Sequence, residues 1–330
     1  MTLPIRHRHL LILALLTLLA GVAATASLAA GALSASTAEI FAAITGHGDA
    51  TLRDVVLELR LPRTLSAFAC GGLLAVAGAL MQVLLRNPLA DPYVLGVSGG
   101  ASVAAMLAIL FGLPFLGVSG AAFIGAAAAT LLVFGLAHGE GSWTQARLLL
   151  TGVVVSAGCG AVVALLLSIA PDNKLQGMLF WLMGDLSGAL DPWPALCALA
   201  VLLALAFPFA RDLNLLSRGD RTAQALGVPV RGLRMAIYLG SALATGVAVT
   251  TAGSVGFVGL IVPHLIRLVV GNDQRILLPA VALAGGSLLL MADTAARTVV
   301  APQQLPVGVL TALIGVPLFL FLLSRQGRGR

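Results

Sequence analysis

The sequence predicts an all-α, polytopic membrane protein of about ten transmembrane helices per subunit. Three observations carry this expectation: hydrophobic residues make up 59% of the chain, charged residues only 10%, and the mean hydropathy is +1.04. A composition this apolar does not fold around one soluble core, so lipid must cover much of its surface. A helix crossing about 30 Å of hydrocarbon needs roughly 20 apolar residues, so about ten helices would use roughly 200 positions of the chain. The apolar runs are Leu, Ala, Val and Gly without alternation, and aromatics are only 5%. Helices are therefore favoured over a transmembrane barrel with its period-two strands.

Charge-free runs place the spans, in order, near 10–33, 61–85, 93–111, 114–137, 147–170, 192–210, 235–252, 259–270, 276–296 and 306–324. The first follows Arg6 and Arg8, as a cleavable leader would, but it is 24 residues long. The apolar core of a leader is only about 7 to 15 residues, so a first span is preferred. The seventh and eighth need a break between them, because 235–270 is 36 residues with only His264 and Arg267 as ionisable groups. One straight helix of that length would run about 54 Å. Gly253, Gly256, Gly259 and Pro263 are expected to interrupt it, leaving a short broken helix near 259–270 shielded by protein. The whole chain, 1–330, reads as one transmembrane domain, with a basic loop at 211–234 inside it.

Lys and Arg accumulate in cytoplasmic loops, which tests the span count. With both termini cytoplasmic, 14 basic residues fall inside and five outside, and eight acidic residues fall outside against five inside. Merging the two helices in 235–270 would export the basic tail that begins at Arg325. Ten spans give the better balance.

Soluble chemistry is absent from the pattern. There is no G-x-x-x-x-G-K-[ST] loop and the only lysine is Lys174, so the chain is not expected to be an ATPase by itself. The five histidines are scattered, and Cys70, Cys159 and Cys197 sit in apolar runs as small hydrophobes. No catalytic residue and no metal site is expected, and no chemistry is assigned to His264. Spans nearly free of charge also argue against a proton- or ion-coupled carrier, which keeps ionisable groups at mid-membrane. The segment 217–227 reads as a short loop helix: Ser217 as cap, Asp220 at the positive end, Gly227 closing it in the left-handed region. Taken alone, this helix is equally an ordinary solvated amphipathic one.

Longer motifs then carry a resemblance. Leu59-Arg60-Leu61-Pro62-Arg63-Thr64, Gly78-Ala79-Leu80-Met81-Gln82, Asn87-Pro88-Leu89-Ala90-Asp91-Pro92 and Gly96-Val97-Ser98 stand in order in the first third. Gly253-x-x-Gly256-Phe257-Val258-Gly259-Leu260-Ile261-Val262-Pro263-His264, Leu305-Pro306-Val307-Gly308 and Gly315-x-Pro317 follow. Together they resemble the FecCD-type permeases over roughly 40 to 320. The resemblance implies the permease of a binding-protein-dependent ABC importer for ferric siderophore, haem or vitamin B12, in the bacterial cytoplasmic membrane. It implies a homodimer, two ATP-binding subunits carrying ATP and Mg, and an external or periplasmic substrate-binding protein. No cofactor on this chain and no nucleic-acid partner is expected.

The resemblance also implies roles residue by residue. Arg60, Arg63 and Arg297 would form external basic pockets for carboxylates of the binding protein, as exposed guanidiniums at span ends can. Interfacial snorkelling, or pairing with Glu58 and Asp293, is the competing reading. Ser217, Gly219, Asp220, Ala223, Leu226 and Gly227 would couple to the ATPase. Asn87 and Leu89, with the loop between spans four and five, would form a cytoplasmic gate, although Asn-Pro and Asp-Pro pairs are also ordinary turn formers.

Overall fold

The computed structural model describes residues 5–31, 35–137 and 145–326. The apolar helices are α1 (Ile5–Ala29), α2 (Leu61–Leu84), α3 (Val97–Leu110), α4 (Phe115–Ala137), α5 (Gln145–Ile169), α6 (Trp193–Ala206), α7 (Val230–Ala252), α8 (Val258–Val270), α9 (Gln274–Thr298) and α10 (Val307–Gln326). Seven of them, with their helical extensions, are long and apolar enough to cross a membrane. The apolar stretches of α3, α8 and α10 are shorter. Ten apolar helices therefore match the expected spans, and no strand occurs among the described residues.

Helix α2 is the axis of the bundle. Its most apolar stretch is 94% buried, against 11% in α1 and α5, which lie at the periphery. Small residues make that axial position possible, because helices in lipid associate through close backbone packing. A Cβ on Gly78 would overlap the Gly259 carbonyl of α8, and one on Gly71 would overlap the Gly285 carbonyl of α9. The same device joins α3 to α4, where Gly100 and Gly125 face each other's carbonyls.

The break after α7 falls at 253–257. Gly253 and Phe257 both take positive φ, 67° and 70°. The unwound backbone is pinned: the Tyr93 hydroxyl donates to the Val255 carbonyl and accepts from its N–H, both at 2.9 Å. Asp185 N–H also closes on the Ala252 carbonyl at 2.9 Å. Pro263 does not contribute to this break as expected, but lies inside α8. Lacking an N–H, it leaves the Gly259 carbonyl without its usual helical donor, and that is the carbonyl packed against Gly78.

Contacts sort the helix ends into two groups. At one end, Arg8 of α1 donates to Val269 at the end of α8 (2.8 Å), and Asn214 bridges to Asp273 and Gln274 at the start of α9. At the other, Arg60 and Arg63 meet the end of α1 and Asp293 near the end of α9. α1 and α2 thus run antiparallel to one another, and so do α8 and α9. Three short helices, Thr37–Ile44, Ala50–Asp54 and Asp172–Met183, lie outside the expected spans.

Candidate functional site

The first candidate region follows α6. The chain continues through Phe207–Phe209 into a helix at Ala210–Ser217, turns, and forms a second at Asp220–Ala225. Gly219, at φ 120°, makes the turn in a conformation that side chains rarely adopt. Two expectations are corrected here. Ser217 does not cap the second helix; it ends the first, and its Oγ donates to the Asn214 carbonyl at 2.8 Å. Ala223 does not present a contact face, because it is fully buried. Leu226 is 57% exposed, an apolar side chain offered to solvent. Gly227 closes the helix at φ 83°, with Val228 N–H reaching back to the Ala223 carbonyl (3.0 Å) in the Schellman manner.

Asp220 holds this segment to the bundle. It accepts from Arg234 of α7 at 2.6 and 2.8 Å, and Arg86 approaches at 3.7 Å from the turn after α2. That turn carries Asn87 and Leu89. Asn87 Oδ1 accepts from Leu89 N–H at 2.9 Å, a local turn of the kind Asn-Pro favours, and Leu89 is 39% exposed. Arg86 enters it at φ 48°. One carboxylate therefore ties the candidate gate turn to the candidate coupling segment. Arg86 and Arg234 are the functional candidates that sequence reasoning missed, since nothing in the spacing of 86, 220 and 234 announces a contact. The loop between α4 and α5, 138–144, lies outside the described residues.

The second region is at the opposite end. The three arginines are not the exposed forks expected of them; they are turned inward. Arg60 is 6% exposed and donates to the Leu28 carbonyl at 2.7 Å. Arg297 donates to the carbonyls of Ala30 (3.0 Å) and Ser27 (2.6 Å) and stands 3.5 Å from Asp293. Arg63 grips the fully buried Asp293 through Nε and Nη2, at 2.8 to 3.1 Å, and reaches Gln304 at 3.2 Å. The physical reason is the C-terminus of α1, whose last carbonyls lack helical donors and carry the negative end of the helix dipole. Two guanidiniums satisfy them and fasten a peripheral helix. The pairing foreseen with Asp293 is present; Arg60 instead turns to α1. Asp293 is shared by Arg63 and Arg297, while Arg60 donates to backbone carbonyls.

Asp91 is the third feature. Its Oδ1 caps the turn Pro92–Leu95 by accepting from Tyr93 N–H at 2.8 Å, and burial pushes its carboxyl up to about 6. No three His, Cys, Asp or Glu side chains gather as a metal site among the described residues.

Comparison with known proteins fits this architecture. The model of the FecCD transport family matches residues 15–325. The chain is 44% identical over 330 residues to the hemin transport system permease protein HmuU of Yersinia pestis, covering 97% of both chains. It is 42% identical over 282 residues to the vitamin B12 import system permease protein BtuC of Yersinia enterocolitica, covering 83% of each. Among solved structures, an inward-facing ABC transporter assigned to the metal-chelate type superposes with a TM-score of 0.82 at 33% identity, covering 96% of this chain and 99% of that one. With nearly the whole length matched by one family, the chain belongs to the FecCD transport family.

Proposed function

We propose that this chain is the membrane-spanning subunit of an ATP-driven importer and that its substrate is an iron chelate, with haem first among the candidates. The observation that carries the substrate is the 44% identity to a hemin permease over 97% of both chains. Vitamin B12 is the second reading, on the 42% identity to a B12 permease over 83% of each. The proposed assembly has two copies of this chain, two ATP-binding subunits and an external binding protein, with both termini cytoplasmic.

The segment 211–234 is the proposed coupling element, and Leu226 its apolar contact with the ATPase. Force on it would pass through Asp220 to Arg86 and so to the Asn87–Leu89 turn, the proposed gate. The arginine cluster is the proposed seat of the binding protein's acidic side chains, acting as a local positive field rather than as open forks. Proteoliposomes holding the full assembly, given haem, a ferric siderophore or cobalamin on the matching binding protein, test the substrate. Haem uptake is expected; cobalamin uptake without haem uptake overturns the first reading.

A further inference from the structure

Behind the Arg86 turn, the ends of α2 and α8 and the start of α9 border an open cavity of about 250 Å³, lined in part by Gln82, Arg86, Ser217, Arg267, Asn272 and Gln274. Its polar groups are out of balance. Arg267 is partly buried, and no carboxylate among the described residues stands within ion-pair distance of it. Gln82 and Gln274 are 4% and 2% exposed, and the Oε1 of each is buried without a hydrogen-bond partner. Gln82 is anchored by its Nε2, which donates to the Leu260 carbonyl at 3.2 Å. The Gln274 backbone N–H is held by Asn214 Oδ1 at 2.9 Å. A partly buried cation with no counter-ion and two buried acceptors with no donor are each unfavourable.

A single ligand relieves both if it brings negative charge and its own N–H or O–H groups. A carboxylate or a sulfate supplies charge alone and leaves the glutamines orphaned. Water supplies donors alone and leaves Arg267 uncompensated. We propose that this cavity binds a phosphate group that carries hydrogen-bond donors, supplied by the phosphoethanolamine headgroup of a membrane lipid or by free hydrogen phosphate. Arg267 and Arg86 take the phosphate oxygens, as guanidinium forks do. The ammonium or P–OH group meets the Gln274 oxygen, because the soft terminal torsion lets that amide turn to it, while Gln82 stays anchored on the Leu260 carbonyl. Arg86 already reaches Asp220 at 3.7 Å, so Arg267 is the primary anchor. The cavity lies where helices α2 and α8 end and α9 begins, at the depth of lipid headgroups. A water needs only about 10–15 Å³ of such space, so a polyatomic ion fits.

Phosphatidylethanolamine and phosphatidylcholine share the phosphate and the positive charge, and only the first has N–H donors. The full chain is purified, offered equal amounts of both lipids, and its bound lipid read by native mass spectrometry. In parallel, its unfolding midpoint in phosphatidylcholine nanodiscs is followed against phosphate and sulfate. A retention of phosphatidylethanolamine over phosphatidylcholine of about tenfold or more is expected, since one buried hydrogen bond to a charged donor supplies that much. Arg267→Gln should lower retention of both lipids, and Gln274→Leu should abolish the preference while keeping the charge. Stabilisation by phosphate but not sulfate, lost in Arg267→Gln, with no lipid preference, assigns the same site to free phosphate. If Arg267→Gln does not fold, Gln274→Leu decides, by loss of the lipid preference or of the advantage of phosphate over sulfate. The proposal is overturned if there is neither a lipid preference nor a phosphate effect, if the lipid preference persists in Gln274→Leu, or if the phosphate effect persists in Arg267→Gln.

Discussion

Replacing Asp220 with Asn removes the charge that joins the candidate gate turn to the candidate coupling segment while keeping the side chain's shape. The native carboxylate accepts from Arg234 at 2.6 and 2.8 Å, with Arg86 at 3.7 Å. Hydrogen bonds to charged groups contribute about 1.5–3 kcal/mol when buried, and exposed ion pairs about 0–1. The side chains of Asp220, Arg234 and Arg86 are 29%, 14% and 37% exposed, which places the link between those limits, near 1 to 2 kcal/mol. A loss of that size shifts the equilibrium between tethered and released segment by about 5- to 30-fold. The complex reconstituted with its ATPase should keep hydrolysing ATP in Asp220→Asn while substrate moved per ATP falls several-fold. Arg234→Gln should give a similar fall, and the double variant should add little, because both remove one link. An unchanged transport-to-hydrolysis ratio in Asp220→Asn, or full additivity of the pair, refutes the tether.

Three other outcomes are expected. Leu226→Asp should uncouple transport without lowering the unfolding midpoint, whereas Ala223→Asp should fail to fold because it buries an unpaired charge; normal transport by Leu226→Asp removes the segment from the coupling path. Arg63→Glu places a second carboxylate against buried Asp293 and should lower stability by about 3–5 kcal/mol in detergent unfolding, with partial recovery on adding Asp293→Lys. Measured on any folded fraction, its affinity for the binding protein should fall and lose salt dependence; an unchanged salt dependence removes the docking role. Asp91 has a folded pKa raised to about 6, so its stabilising contribution is full below the unfolded value near 3.8 and lost as pH rises through about 6. Asp91→Asn should therefore flatten the pH dependence of the unfolding midpoint between about 4 and 7, and raise stability at neutral pH by up to about 3 kcal/mol. Identical slopes in both proteins would contradict this.

The spans were legible because bilayer thickness sets the length of an apolar run, and the break at 253–257 because glycine tolerates the positive φ that unwinding needs. The arginine end was legible in position but not in direction. Whether Arg60 and Arg297 point outward depends on acceptors at 27–30, far away in sequence, and only packing brings the end of α1 to them. Ser217 was misread because a serine serves equally at the start of one helix or the end of another; Gly219, two residues on, decides. The helix at Thr37–Ile44 could have been found, since Ser36 and Glu39 form a complete capping box. The bond network of Asp220, Arg86 and Arg234 had no local signal at all.

The most direct test of the proposed role compares proteoliposomes that hold this chain alone with ones that also hold its ATP-binding subunits, each supplied with haem-loaded binding protein. Uptake that requires both the ATP-binding subunits and ATP, and is indifferent to imposed proton or sodium gradients, is the expected result. Uptake by the chain alone, driven by such a gradient, would contradict the proposal of a permease powered by a separate ATPase.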